Sequence, residues 1–233
     1  MKRISCLALI LLLCMTACAG RAEEEFFVME SAVTLFGDQS ISTAALKKEM
    51  TRQQLILALS YAAEGREYDI MDSLNILDLV SKVLFDMEQS AMIRNLIKLQ
   101  EPEDREVTAE EEAQLRAQAK AEWEEYRAVA RSENGMAFLP AGNFVPVPDD
   151  PEETITRYFE SFGLTEESLY QDALNAALDQ KLMQAETAFL EDATEDEKFD
   201  YYTDWLLNWF SLAGVQEDPL AVAEVCLRLK DGK

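Results

Sequence analysis

The chain has 233 residues, 48% of them apolar, and its 45 acidic and 21 basic side chains give a formal charge of −24 at pH 7. An acidic surface repels phosphate backbones, so nucleic acid is not an expected partner. The sequence contains no histidine, which removes the usual general base, the serine triad and the commonest zinc ligand. Its 8 glycines and 6 prolines are few for this length and favour long helices over a β-sandwich or barrel.

The N-terminal residues have the features of a secretory signal. Lys2 and Arg3 are followed by an apolar run over residues 4–14, as in signal peptides. This run is too short to cross a bilayer, which takes about 20 residues. The four residues Met-Thr-Ala-Cys that end at Cys18 resemble the lipobox of bacterial lipoproteins.

This resemblance implies that the thiol of Cys18 is acylated and that a signal peptide, residues 1–17, is removed. The alternative is an ordinary secretory signal cut nearby, with Cys18 incidental. Residues 18–25 then form a short acidic tether. Without Lys2 and Arg3 the mature chain has 19 basic and 45 acidic side chains, a formal charge of −26. Cys226 is then the one remaining thiol, expected as a buried small hydrophobe.

The rest of the sequence predicts a mainly helical chain. Residues 32–36 and 39–41 are short segments on either side of Gly37 and Asp38, and they predict a small N-terminal β-hairpin. Apolar residues then recur with the period of a helix. The predicted helices cover residues 44–64, 69–99, 109–131, 151–163, 166–190, 195–212 and 219–229. We expect a break somewhere within the second of these.

Three helix starts carry specific signals. The segments that begin at Thr108 and Thr194 each have a glutamate three residues later and predict capping boxes. Thr165 is expected to cap the helix that follows it. The helix after Thr108 has a narrow apolar stripe and is expected to project from the body. The helix after Thr194 is apolar around most of its girth, so neighbours or a ligand must wrap it.

The order of these signals resembles the N-terminal chaperone domain of SurA- and PrsA-type exported foldases and, similarly, the C-terminal arm of trigger factor. The resemblance covers most of residues 30–216. It is carried by Ile41-Ser42, Val107-Thr-Ala-Glu-Glu111, Phe162-Gly-Leu-Thr-Glu-Glu167, Gln180-Lys-Leu-Met183 and Trp205-Leu-Leu-Asn-Trp209. Foldases of this family carry a parvulin isomerase domain before the closing helix. Only a few residues separate Leu190 from Thr194, so the resemblance implies a holding chaperone or a peptide-binding relative, and not a prolyl isomerase.

The expected fold is therefore all-α, with an elongated architecture like that of the SurA N-terminal domain and trigger factor. It would extend over residues 26–216, and residues 217–233 would form a short C-terminal helix and tail. The expected function is that of an extracytoplasmic, lipid-anchored holding chaperone for unfolded or extended exported polypeptides. The alternative is a structural or adaptor lipoprotein that docks one envelope partner. The anchor would lie in the cell membrane, or in an outer membrane if the host has one.

Peptide binding by such a protein needs adaptable apolar surface. For any single apolar residue the simpler interpretation is a place in the core. The candidates for binding are Met50, Trp123, Tyr126, Phe138, Phe144 and Val145. No catalytic motif or cofactor is expected. The acids at residues 149–153 could pair as carboxylates or hold a calcium ion, but they stand at a helix start, where they complement the helix dipole, so no metal site is expected.

Overall fold

The computed structural model describes residues 32–36, 39–68, 73–101, 106–132, 139–140 and 146–230. Seven α-helices make up most of this part of the chain, which confirms the predicted all-α class. They are α1 (Thr43–Ala63), α2 (Ser73–Leu96), α3 (Ala109–Arg131), α4 (Pro151–Ser161), α5 (Glu166–Thr187), α6 (Glu195–Ala213) and α7 (Pro219–Lys230).

The described residues also include three short strands: β1 (Ala32–Phe36), β2 (Gln39–Ser42) and β3 (Gln216–Glu217). β1 lies between the other two and pairs antiparallel with both. The sequence did not indicate β3, because two residues are too few for a periodicity to be recognised. The turn residues Gly37 and Asp38 lie outside the described residues, so the predicted hairpin stays a prediction.

The predicted helix starts are confirmed. The Thr108 hydroxyl accepts a hydrogen bond from the amide of Glu111 at 3.2 Å, and the Glu111 carboxylate accepts one from the amide of Thr108 at 2.7 Å. Thr194 forms the same reciprocal pair with Glu197, and Thr165 caps α5. Each cap satisfies amides that have no partner inside the helix. These ends are therefore set by local sequence.

Helix α2 is continuous from Ser73 to Leu96 and changes only at its end, where Ile97–Leu99 form a turn of 3-10 helix. The predicted break is therefore wrong over residues 73–96. Residues 69–72, where the predicted helix began, lie outside the described residues. The segment contains no glycine or proline to interrupt it. Its wide apolar surface has another explanation, because the two halves of α2 contribute to two different cores.

The described side chains form three separate hydrophobic cores. Core A joins β2, α7 and the N-terminal halves of α1 and α2, and includes Ile41, Leu46, Met50, Val80, Leu84, Val225 and Cys226. Core B joins the C-terminal half of α1 to α3, α4 and the start of α5, and includes Leu55, Leu59, Trp123, Tyr158, Phe159 and Leu169. Core C joins the ends of α2 and α5 to α6, and includes Met92, Ile93, Leu96, Leu182, Tyr202, Leu206 and Phe210.

The three long helices α1, α2 and α5 each belong to two of these cores. Helix α1 connects core A to core B, α2 connects core A to core C, and α5 connects core B to core C. The middle parts of these helices are therefore held in place from both ends. Cys226 is buried in core A, as predicted for a lone cysteine on an apolar stripe.

Helix α3 does not project from the body, so that expectation is wrong. Its apolar stripe packs in core B, where Trp123 is 7% exposed and meets the ring of Phe159 edge to face with 5.3 Å between ring centres. At its other end the guanidinium of Arg116 lies over the ring of Tyr170 at 3.9 Å. A narrow stripe is enough here because α5 packs along α3, while α1 and α4 add side chains to the same core.

We predict that Trp123→Ala lowers the free energy of unfolding by about 3–4 kcal/mol, as is typical when a large aromatic is removed from a core. Tyr126→Phe is the matched control in the same helix, because it removes only the hydroxyl that donates to Glu122 and should cost less than about 1 kcal/mol. Urea denaturation followed by circular dichroism measures both values. If the two variants lowered the free energy of unfolding by equal, small amounts, Trp123 would lie outside the core.

A second prediction concerns the pH dependence of the contact between α3 and α5. Hydrogen bonds from Lys181, at 2.9 Å, and from Thr108 hold the pKa of Glu111 at about 2, below its ordinary value of 4.5. The folded state therefore favours the ionised carboxylate, and this stabilisation is complete above pH 4.5 and is lost as the pH falls towards 2.

Glu111→Gln should accordingly lower the free energy of unfolding at pH 7, and its difference from the wild type should shrink steadily between pH 4.5 and 2.5. Glu125→Gln, at an exposed position later in α3, is the control and should show a small difference that does not follow this course. If Glu111→Gln and the wild type differed in free energy of unfolding by the same amount at pH 7 and at pH 2.5, the lowered pKa of Glu111 would be contradicted.

Candidate functional site

The three long helices enclose a cleft of about 1440 Å³. Helices α1, α2 and α5 each supply one wall, and β2 and the turn after α4 lie at its margins. The cleft follows from the arrangement of the cores, since these helices meet in pairs at their ends and leave space between their middle parts. We refer to it below as the central cleft.

The α2 wall of the central cleft is partly apolar. Val83, Met87 and Ala91 follow one another at intervals of four residues and so lie on one face of the helix. Val83 is buried, whereas Met87 and Ala91 are half-buried. Ala176 from α5 is exposed in the same cleft. A methionine beside small side chains gives an apolar surface that can adjust its shape.

Side-chain amides are the second component of the cleft wall. Gln53 comes from α1, Gln89 from α2, and Gln171 and Asn175 from α5. Gln53 donates to Glu49 at 3.0 Å and Gln171 donates to Glu167 at 2.8 Å, so two of the amides are already oriented. An amide side chain both donates and accepts hydrogen bonds. The walls can therefore pair with the N–H and C=O groups of another backbone.

A buried arginine connects two walls of the central cleft. The guanidinium of Arg52 in α1 donates to both carboxylate oxygens of Asp172 in α5, at 2.6 and 3.1 Å. The same guanidinium donates to both carboxylate oxygens of Glu49, one turn earlier in α1. Its Nε lies 2.9 Å from Oε2, and its Nη2 donates to Oε1. Two bidentate pairs on one guanidinium satisfy nearly all of its donors.

The pKa values follow from this arrangement. Burial alone lowers the pKa of Arg52, but its hydrogen bonds to Glu49 and Asp172 outweigh burial and raise it, so Arg52 stays charged. Burial raises the pKa of Glu49, and the contacts with Arg52 outweigh that effect and lower it. Burial also raises the pKa of Asp179 in the α5 wall, where the hydroxyl of Tyr202 donates to its carboxylate at 2.6 Å.

The charge of the central cleft differs from that of the whole chain. Its basic lining residues are Lys48, Arg52, Arg94 and Lys98, and its acidic ones are Glu49, Asp86, Glu160, Glu167, Asp172 and Asp179. Four basic groups against six acidic ones is close to balance, whereas acids outnumber bases more than twofold in the full sequence. The cleft therefore does not select strongly for a ligand of either charge.

Three of the predicted peptide-binding residues are among the described residues, and none of these three lines the central cleft. Met50 is 0% exposed in core A, and Trp123 is buried in core B, so both serve the interior. Tyr126 is half-buried against core B. Its pKa is raised mainly by this burial and secondly by its hydrogen bond to Glu122. The other candidates, Phe138, Phe144 and Val145, and the lipid attachment residue Cys18 lie outside the described residues.

The acids near the start of α4 have structural partners. Asp150 caps the helix by accepting from the amide of Glu153 at 3.0 Å. The Glu152 carboxylate pairs with Arg127 and Arg131 of α3, and its contact with Arg131 is 2.6 Å. In the part of the chain that the structure describes, no group of three potential metal-ligating side chains comes together. These acids therefore fix the junction between α3 and α4.

A second surface lies on α6. One side of this helix, with Tyr202, Leu206 and Phe210, fills core C. Other large apolar residues of this helix are exposed to solvent, namely Phe199, Tyr201, Leu207 and Leu212, and so is Phe189 in the turn after α5. Neighbours therefore wrap only part of the apolar girth that the sequence shows.

Comparison with protein-family models, with curated proteins and with solved structures finds no match for this chain. The resemblance to the SurA- and PrsA-type domains accordingly stays a proposal. Among the helices of the described residues, none combines the length and apolar character needed to cross a membrane.

We predict that Arg52→Met lowers the free energy of unfolding by about 1–2 kcal/mol, because it leaves the half-buried carboxylate of Glu49 without its partner, whereas water screens the more exposed carboxylate of Asp172. Arg52→Lys keeps the charge but not the planar fork, so its loss should be intermediate. Chemical denaturation measures both. A change below about 0.5 kcal/mol for Arg52→Met would show that the pair contributes nothing to stability.

Proposed function

We propose that this protein holds extended segments of unfolded polypeptide in its central cleft, as an exported and lipid-anchored holding chaperone that performs no bond chemistry. The observation that carries the proposal is the central cleft itself, open between three helices and lined from all three sides. Its size, its lining and its charge each support a polypeptide ligand.

The size favours a chain over a small molecule. Pockets for drug-sized ligands have volumes of roughly 300–1,000 Å³ and enclose most of the ligand. The central cleft has a volume of about 1440 Å³ and is open to solvent. An extended peptide advances about 3.3 Å per residue, so several residues fit along a wall formed by three turns of α2.

The lining favours recognition without sequence selectivity. The amides of Gln53, Gln89 and Asn175 can pair with backbone groups that every peptide has. Met87 and Ala91 offer apolar contact that adapts to different side chains. Because the charges in the cleft are close to balance, clients of either charge can enter. These are the properties that a holding chaperone needs.

The exterior and the N-terminus fit the same proposal. The large excess of acidic residues keeps a complex with an unfolded client soluble. The lipobox-like sequence before Cys18 would anchor the protein at the outer face of a membrane, where exported chains arrive unfolded. The order of helix signals that resembles SurA- and PrsA-type chaperone domains supports the same class of activity, without the isomerase.

We predict that the purified protein suppresses the aggregation of two unrelated denatured proteins at ratios near one to one. Ala176→Trp, which adds a large side chain to an exposed position in the cleft, should weaken binding of a labelled extended peptide by about tenfold, or about 1.4 kcal/mol. Light scattering measures the first effect and fluorescence anisotropy the second.

The matched control is Ala117→Trp, which makes the same change at an exposed position on α3 outside the cleft and should bind as the wild type does. Equal binding by both variants would show that the cleft is not the site. Failure to suppress aggregation, combined with recovery of one folded partner from an envelope extract, would favour the dedicated adaptor instead.

A further inference from the structure

Helix α6 carries an apolar face that the described elements leave largely exposed. Tyr201, Trp205 and Leu212 follow the spacing i, i+4 and i+11, so they lie on one side of the helix. Leu212 is 77% exposed and Tyr201 is 39% exposed. Phe189, which is 63% exposed, extends this face by packing edge to face on Tyr201 with 5.3 Å between ring centres. We refer to these four residues as the α6 outer face.

The face has the dimensions of a helix-docking surface. Leu212 comes eleven positions after Tyr201, which corresponds to about 16 Å along the helix axis, or three turns. Trp205 is half-buried and stacks on Tyr202 at 5.7 Å and against Trp209 at 6.1 Å. The aromatic part of the face is therefore fixed in position by core C, and its surface is available without rearrangement.

Acidic residues surround this face almost exclusively. Residues 189–218 include one basic side chain, Lys198, which pairs with Glu195 at 3.2 Å. The nine acidic residues of this segment are Glu191, Asp192, Glu195, Asp196, Glu197, Asp200, Asp204, Glu217 and Asp218. Glu197 and Asp204 are one turn from Tyr201 and border the stripe directly. Any ligand of this face must therefore approach a concentrated negative charge.

This charge separates the possible occupants. A second copy of the chain would bring the same acids into the interface, and an anionic membrane surface would be repelled. The chain's own apolar residues Phe26 and Phe27 directly follow Glu23, Glu24 and Glu25, so that segment is disfavoured for the same reason. A segment with apolar residues on one side and lysine or arginine beside them complements both the apolar face and the acidic residues that border it, which we call its rim.

We propose that the α6 outer face binds a basic amphipathic helix of another polypeptide. The apolar stripe of that helix covers Phe189, Tyr201 and Leu212, and its basic residues meet the acidic rim. Helix-in-groove recognition uses anchors spaced i, i+3, i+4 and i+7, and three turns of α6 supply contacts for such a pattern. This site is independent of the central cleft, and it does not require chaperone activity.

The test uses a synthetic 14-residue peptide with leucines in a helical stripe and lysines at the other positions, compared with the same peptide carrying glutamates in place of the lysines. Fluorescence anisotropy should show binding of the lysine peptide only, and the affinity should fall at least tenfold between 50 and 500 mM salt. Tyr201→Ser combined with Leu212→Ser should weaken binding by tenfold or more, because both residues are exposed and their loss leaves core C intact.

Charge variants provide the matched comparison. Asp200→Asn with Asp204→Asn should weaken the lysine peptide several-fold and flatten its salt dependence. Glu67→Gln with Glu125→Gln removes the same charge from exposed positions after α1 and in α3 and should change the affinity less than twofold. The proposal is overturned if the glutamate peptide binds equally well, or if the two charge pairs have equal effects.

The cleft variant keeps this proposal separate from the proposed function. Ala176→Trp should leave the binding of the lysine peptide unchanged, and the α6 variants should leave the binding of an extended neutral peptide unchanged. If Ala176→Trp abolishes the binding of both the lysine peptide and the neutral peptide, the two peptides share the central cleft and the α6 site does not exist. If only the α6 variants act on the lysine peptide, the site stands whether or not the cleft holds clients.

Discussion

The structure depends on the sharing of three long helices among three hydrophobic cores. Helices α1, α2 and α5 have 21, 24 and 22 residues, which gives each a length of about 32–36 Å. This is long enough for the two ends of each helix to pack in different cores. Toward the space between the helices, their middle parts carry mostly polar side chains, among them Gln53, Asp86 and Asn175. The central cleft is therefore a consequence of helix length and of how the apolar stripes are divided.

The charged groups in the cleft help to explain why it stays open. Arg52 pairs with Asp172 across two walls, and closer approach of the helices would take these charges, together with Asp86 and Asp179, further from water. Desolvation of charged groups costs more than the small amount of apolar contact that closure would add. Polar side chains at the middle of the long helices thus oppose collapse, while the apolar side chains at the ends hold the helices together.

Local features of the fold could be predicted from the sequence, and features that depend on distant contacts could not. The caps at Thr108, Thr165 and Thr194 involve residues three positions apart, so the sequence alone identifies them. The burial of Trp123 depends on Phe159, which lies 36 residues further along the chain. The cleft was missed for a related reason, because glutamines and an Arg52–Asp172 pair resemble ordinary surface until three helices are brought together. The apolar girth of α6 predicted that neighbours or a ligand wrap the helix, and the described neighbours cover only part of it.

The two surfaces lie on connected elements and differ in chemistry. Asp179 lines the cleft and accepts a hydrogen bond from Tyr202, the neighbour of Tyr201 on the α6 outer face. The cleft offers amides and nearly balanced charge, which suit an extended backbone, and α6 offers aromatic contact within an acidic rim, which suits a basic helix. Under the two proposals, a polypeptide with both kinds of segment would be attached at two places on one molecule. Two weak attachments of this kind reinforce each other, because the first raises the effective concentration of the second segment at its site.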